Sequence, residues 1–152
     1  ILIIRKLKDL VDAGKKILYF STNMKQSLFV SVVLQQIGVN AVHVQHGIDP
    51  SFRRQMIKKF RDTNEISVIC NFNIFSTGFD VPDLDTVFIA RPVNSPVLFN
   101  QMVGRGTRGV RMGATKSTFI LAYVIDKIKS RFEGGFVPYK QYGFWSSYWK
   151  ND

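Results

Sequence analysis

Five short, largely apolar runs recur along this chain, and helix-like signals fill most of the gaps between them. The runs are "KILYFST" (Lys16 to Thr22), "AVHVQ" (Ala41 to Gln45), "ISVIC" (Ile66 to Cys70), "DTVFIA" (Asp85 to Ala90) and "STFILAYVI" (Ser117 to Ile125). A strand that is apolar throughout, without alternation, is covered on both faces, which is the habit of parallel sheets. Parallel strands cannot be joined by a tight turn and need a crossover, usually a helix. The pattern therefore predicts an α/β domain: a mainly parallel sheet sandwiched by helices.

The intervening segments supply those helices. "LIIRKLKDLVDAGKK" places Ile3, Leu7, Leu10 and Val11 at helical spacing, and Gly14 reads as the stop. Asn23-x-x-Gln26 resembles a capping box opening a segment to about Ile37, closed by Gly38. That segment is apolar on nearly all sides, so periodicity does not separate helix from strand; its length favours helix. Asp49-Pro50 is an N-cap with proline at the first helical position. The helix behind it is expected to bury Phe52, Met56, Ile57 and Phe60, with Arg53, Arg54, Lys58, Lys59 and Arg61 on its other faces. Ser95-Pro96 opens one more helix, in which Leu98 and Met102 can face the sheet.

The 152 residues, 45% of them hydrophobic, are enough for one domain with a full core. The formal net charge of +10 favours a polyanionic partner, nucleic acid first and an anionic membrane surface second. No apolar run approaches the 18 or more residues of a membrane-spanning helix, so no membrane partner is expected. The single cysteine, Cys70, allows neither a disulfide framework nor a zinc cluster within one chain, which fits a reducing cytosol. Its apolar surroundings read as those of a small buried hydrophobe.

Two stretches carry chemistry. In "NQMVGRGTRG" (Asn100 to Gly109), Gln101, Arg105 and Arg108 stand at i, i+4 and i+7 and share one helix face. Gly104 and Gly106 weaken the helix but clear the space around Arg105, as a closely approached backbone requires. Two guanidiniums on one face make a fork for phosphate or carboxylate oxygens. In the loop Ser76 to Pro82, Gly78 allows close approach, Asp80 can accept from sugar hydroxyls or an arginine, and Ser76 and Thr77 can donate to phosphates. Read alone, that loop is equally an ordinary turn with a capping aspartate.

In series the stretches resemble the second RecA-like lobe of superfamily 2 helicases and translocases over residues 17 to 125. "ILYFSTN" looks like motif IV, "VQHGIDPSFRRQMIKKFRDTNEISVIC" like the following "HG…R…F" stretch, "STGFDVPDLDTVFIARP" like motif V and "QMVGRGTRG" like motif VI. The wording is most similar to the DNA-directed branch that includes type III restriction subunits and XPB-like repair helicases. Thr77 departs from the pattern, since those relatives often carry an acidic residue there. The resemblance implies that Arg105 and Arg108 match the motif VI arginines, of which at least one acts on the γ-phosphate of ATP as an arginine finger, organised by Gln101, with Gly78 and Asp80 at the nucleotide cleft. It implies backbone contacts to nucleic acid by Ser21, Thr22 and Thr77, and by Gly47 and Arg54 as weaker candidates. His46 is expected only to order its loop.

What is missing is as informative. There is no G-x-x-x-x-G-K-[S/T] phosphate loop, for Gly14-Lys15-Lys16 lacks the earlier glycine and the hydroxyl, and there is no Asp-Glu pair. In the family both belong to the first lobe. The resemblance thus implies that ATP and Mg2+ are held mainly by an N-terminal RecA-like partner lobe, and that this chain alone is inactive. The start at Ile1 fits a piece of a longer enzyme. The lobe is expected over residues 1–127. Residues 128–152 form an aromatic-rich extension, which packs on the lobe or a neighbouring domain, or stacks on bases. DNA is the expected partner ahead of RNA, in a bacterial or phage-like cytoplasm, associated with the nucleoid. A non-catalytic nucleic-acid-binding module with a degenerate motor fold, and an RNA helicase lobe, are the alternatives.

Overall fold

A computed structural model describes residues 2–45, 47–72, 84–91, 97–98 and 101–102, and the main chain of 119–122. The elements in order are α1 (Leu2–Asp12), β1 (Ile17–Phe20), α2 (Met24–Gln36), β2 (Ala41–Val44), α3 (Pro50–Asp62), β3 (Val68–Asn71), β4 (Thr86–Ile89) and β5 (Phe119–Ala122). The five strands form one sheet in the order β2-β3-β1-β4-β5, every pair parallel. Residues 97, 98, 101 and 102, between β4 and β5, are helical.

The strand order dictates where the helices go. The chain moves outward from β1 to β2, then back to β3. Right-handed crossovers in opposite directions must lie on opposite faces of the sheet. The packing agrees: α2 contributes Val30 and Leu34 to one core layer, with Ile17, Tyr19, Val68, Cys70 and Phe88. α3 contributes Met56 and Phe60 to the other, with Leu18, Phe20, Ile69, Val87 and Ile89. Successive strand residues thus enter alternate layers, which is why the runs are apolar without interruption. Met102 is fully buried in the α3 layer and Leu98 packs against it, while Ile3, Ile4, Leu10 and Val11 of α1 flank the α2 layer around Leu7.

Local signals set the boundaries. Asn23 caps α2 by accepting from the Gln26 N–H at 2.8 Å. Gln26 does not return the bond to the cap's own N–H, as a capping box would; its Oε1 accepts from the N–H of Thr22 at 2.8 Å, one residue earlier. The Asp49 carboxylate accepts from the N–H groups of Ser51 and Phe52, and Pro50 takes the first helical position. Lys16, just before β1, closes the far end of α3: its Nζ donates to the carbonyls of Phe60, Arg61 and Thr63 at 2.6, 3.0 and 2.9 Å. These are carbonyls that a helix end leaves without partners, and a cation there also meets the negative end of the dipole.

One expected core residue is outside. Phe52 is 52% exposed, beside a shallow groove that it lines with Val42, Met56 and Ile66. It stands one turn before Met56, where α3 overhangs the edge strand β2 and the sheet offers nothing further to cover it. Ile57 is half-buried, and Met56 and Phe60 are buried as expected. Cys70 is fully buried and desolvation pushes its thiol far above the ordinary range, so it is an inert packing group.

Candidate nucleotide and nucleic-acid edge

The strands end level. Phe20 pairs with Asn71 and with Ile89, Asn71 with Val44, and Ile89 with Ala122, and each of these is the last residue of its strand. All five chain exits therefore leave one flush carboxyl edge, the place where parallel α/β sheets build ligand sites. The three stretches of sequence that follow β1, β2 and β3 are brought to one side of the molecule by this register alone.

Ser21 and Thr22 leave β1 and are treated differently. Ser21 is fully buried; its Oγ lies 2.9 Å from the carbonyl oxygens of both Asn23 and Asn71, and its N–H donates to Asn71 at 3.0 Å. Its hydroxyl locks the exit of β1 to that of β3. Thr22 is exposed, with its hydroxyl bonded to the Gln26 side chain. Gly47, after β2, has φ +89 with open space where a Cβ would be. The left-handed conformation, not crowding, is what calls for glycine there. Arg54 is exposed in the half of α3 nearer this edge, because α3 begins where β2 has just ended. Gln101 is exposed and its neighbour Met102 is fully buried, so the helix after β4 turns position 101 away from the sheet. Thr77, Gly78, Asp80, Arg105 and Arg108 lie outside the described residues, as do His46, Ser95-Pro96 and the aromatic-rich segment.

Two residues at this edge carried no expected role. Arg91, two residues beyond β4, places its guanidinium 5.6 Å from the centre of the Phe72 ring, which directly follows β3. Burial lowers its pKa, disfavouring the charged form. The strands they follow flank β1, so this contact spans the exit of the central strand. Asn71 is 1% exposed and donates from Nδ2 to the Tyr19 carbonyl at 2.9 Å. The signal for both was present: an amide ending an apolar strand, and an arginine between a strand and a proline.

Charge is distributed unevenly between the two ends of the sheet. Among the described residues, Asp9, Asp12, Asp62, Glu65 and Asp85 all lie toward the amino edge, on helix ends or loops that lead into strands. Among the described residues of the carboxyl edge, Asp49 is the one carboxylate. Its pKa is lowered by the hydrogen bond from the Ser51 side chain and then by the backbone N–H groups of Phe52 and Ser51. That carboxylate is occupied as a helix cap. An edge with cations and hydroxyls and no free described carboxylate suits the phosphates of ATP or of a polynucleotide. Among the described residues no group of three or more His, Cys, Asp or Glu could hold a metal ion.

The comparisons with known proteins bear on the same residues. Residues 3–110 match the family described as helicase conserved C-terminal domain. Over 113 residues the chain is 31% identical to a 51.5 kDa protein of a Lactococcus phage, covering 74% of this chain and 24% of that protein. Over 94 residues it is 31% identical to the putative ATP-dependent helicase IRC3 of Saccharomyces cerevisiae, covering 62% of this chain and 14% of that one. Among solved structures, the C-terminal part of the Fun30 ATPase domain has a TM-score of 0.73 at 19% identity, over 90% of this chain and 45% of that one. Domain 2 of the DEAD-box helicase Mss116p, bound to an RNA duplex, has a TM-score of 0.65 at 16% identity, over 84% and 50%. The chain thus spans a quarter or less of these two relatives and shares its RecA-like fold with the two solved domains. With a family match over most of its length and the sheet to go with it, the chain belongs to the helicase conserved C-terminal domain family.

Proposed function

We propose that this chain is the second motor lobe of an ATP-dependent DNA helicase or translocase, completing an ATP site whose phosphate loop lies on another lobe. The observation that carries this reading is the flush carboxyl edge, to which the register brings the exits of β1, β2 and β3 together. Bound ATP would supply the phosphoryl group whose transfer to water drives movement. Arg105 and Arg108, on the stretch that follows Gln101, would stabilise charge developing on that group. Gln101 would organise them, and Gly78 and Asp80 would border the nucleotide. Thr22, Thr77, Gly47 and Arg54 would hold the sugar-phosphate backbone, contacts that position a strand without reading its sequence. Ser21 would serve this surface from beneath, by fixing the loop that presents Thr22. The chain by itself would not turn over ATP.

The decisive experiment is Arg105→Ala and, separately, Arg108→Ala in the full-length protein. The expected result is a loss of nucleic-acid-stimulated ATPase on the order of 10³-fold for at least one of them, with nucleic-acid affinity changed only a few-fold. Normal turnover in both variants would sink the proposal. DNA is proposed over RNA on the wording of motifs V and VI. The fold shared with an RNA-bound DEAD-box domain supports the alternative. ATPase stimulation by matched DNA and RNA oligonucleotides separates the two, and stimulation by RNA alone would replace DNA with RNA in this reading.

A further inference from the structure

The outer face of α3 carries Arg54, Lys58 and Arg61 at i, i+4 and i+7, all exposed. They form one stripe, which starts near the carboxyl edge and runs down the side of the lobe over about 10 Å of helix. The bland account is a solvated helix face, and two features count against it. A helix surface arranged for stability spaces opposite charges at i, i+4, whereas Arg54 and Lys58 set like charges there. It also puts acids in the first turn, but α3 has none and instead carries Arg53 and Arg54 in its N-terminal half, toward the positive end of its dipole. The nearby cations are otherwise employed: Lys16 caps the helix and Lys59 pairs with Glu65 at 2.7 Å. Arg61 bonds its neighbour Asp62 at 2.6 Å, and Arg54 and Lys58, both exposed, act electrostatically on Asp49 and Asp62.

We infer that this stripe is a second phosphate track, which takes the nucleic-acid backbone beyond the strand held at the carboxyl edge. The inference rests on the motor-lobe reading and extends it from the edge to the side of the domain. Three cations over about 10 Å match the axial length of about three phosphates of one strand, at about 3.4 Å each. The partner is nucleic acid and not an acidic protein, because the stripe is continuous with the surface on which Thr22, Gly47 and Arg54 are placed. Phosphate contacts of this kind would raise affinity for long or duplex-flanked substrates without adding sequence preference.

The test uses the full-length protein and two DNA probes: a six-nucleotide single strand, and the same strand extended by a 15-base-pair duplex. Lys58→Gln/Arg61→Gln leaves the edge residues untouched, and Lys58→Arg/Arg61→Lys keeps the charge. The slope of log affinity against log salt on the long probe is expected to fall by about 1.5 to 2 in the Gln double variant, at about 0.9 per lost phosphate contact. The charge-keeping pair should retain the slope, and affinity for the short probe should be unchanged. An unchanged slope on the long probe overturns the track, as does an equal loss on both probes. Failure of the wild type to bind either probe overturns the motor-lobe reading itself, and is distinguishable from both.

Discussion

Helices α2 and α3 are both 13 residues long, lie on opposite faces of one sheet, and begin with side-chain caps. Their insides and outsides differ. α3 buries Met56 and Phe60 and turns arginine and lysine outward. α2 buries two serines, Ser27 and Ser31, beside Val30 and Leu34, and leaves Met24, Leu28, Phe29 and Val32 44% to 63% exposed. The reason is space. Opposite α2 the sheet presents Ala41 and Cys70, and small serines let the helix approach it closely. Each hydroxyl is satisfied: Ser27 Oγ lies 2.8 Å from His43 Nδ1, and Ser31 Oγ donates to the Leu28 carbonyl at 2.7 Å. A buried, bonded hydroxyl costs little, so polarity is a poor guide to which face is inside. One side of the lobe exposes arginines and lysines; the other exposes apolar side chains that have no place in the described core layers.

The comparison is broken most severely by truncating the anchor of either helix. Phe60→Ala should cost about 3–5 kcal/mol and Leu34→Ala about 2–5 kcal/mol, because both side chains are fully buried and would leave cavities. Urea unfolding of the two variants measures this. A cost below about 1 kcal/mol at either site would mean that helix is not anchored as described. Next comes the Lys16 clasp on α3, which α2 lacks. Lys16→Met keeps the stem and removes three hydrogen bonds to helix-end carbonyls, and should cost roughly 1–2 kcal/mol. An equal effect from Lys16→Arg would show that packing geometry matters there more than charge.

A smaller effect distinguishes the caps. Asp49 is ionisable and Asn23 is not. The pKa of Asp49 is lowered in the fold, so its contribution is fully present above the unfolded value of about 3.9 and is lost as pH falls through the lower folded value. Asp49→Asn caps about as well but does not titrate. Wild type and variant should therefore be similarly stable near pH 6, and the wild type should fall below the variant as the pH drops below about 4, measured by thermal unfolding at a series of pH values. A gap that stays constant from pH 6 to pH 2.5 would show that the carboxylate is not holding the cap.

How much of this was legible in the sequence depends on how each feature is encoded. The sheet was legible because strands covered on both faces must be apolar throughout, and five such runs left little choice. The caps were legible because Asn23, Asp49 and Pro50 act on their own neighbours. The edge of the sheet was not: that β2 is an edge strand follows from crossover directions, and this is what leaves Phe52 exposed. The resemblance sets Ser21 among the nucleic-acid backbone contacts, but its burial between two carbonyls depends on Asn71, fifty residues away. Arg91 meets Phe72 only because β3 and β4 flank β1, which no local pattern records. The face of α2 was hidden for a different reason: a helix apolar all round carries no moment to read.

That last point gives the smallest predicted effect and the sharpest test of the comparison. Leu28→Gln and Phe29→Gln alter side chains that are 51% and 63% exposed and have no place in the described core layers. Each should change the stability of this chain by no more than about 0.5 kcal/mol, as exposed substitutions away from caps and networks do. Were α2 packed as its hydrophobic content suggests, with Leu28 and Phe29 inward and the serines outward, the same changes would cost several kcal/mol. Ser27→Leu reverses the logic: with Ser27 fully buried against the sheet, added bulk should destabilise by about 1–3 kcal/mol. A neutral Ser27→Leu together with a costly Phe29→Gln would turn α2 over, and with it the contrast between the two helices. The expected pairing, a costly Ser27→Leu and a neutral Phe29→Gln, would show that this helix is positioned by the size of its buried residues and not by their polarity.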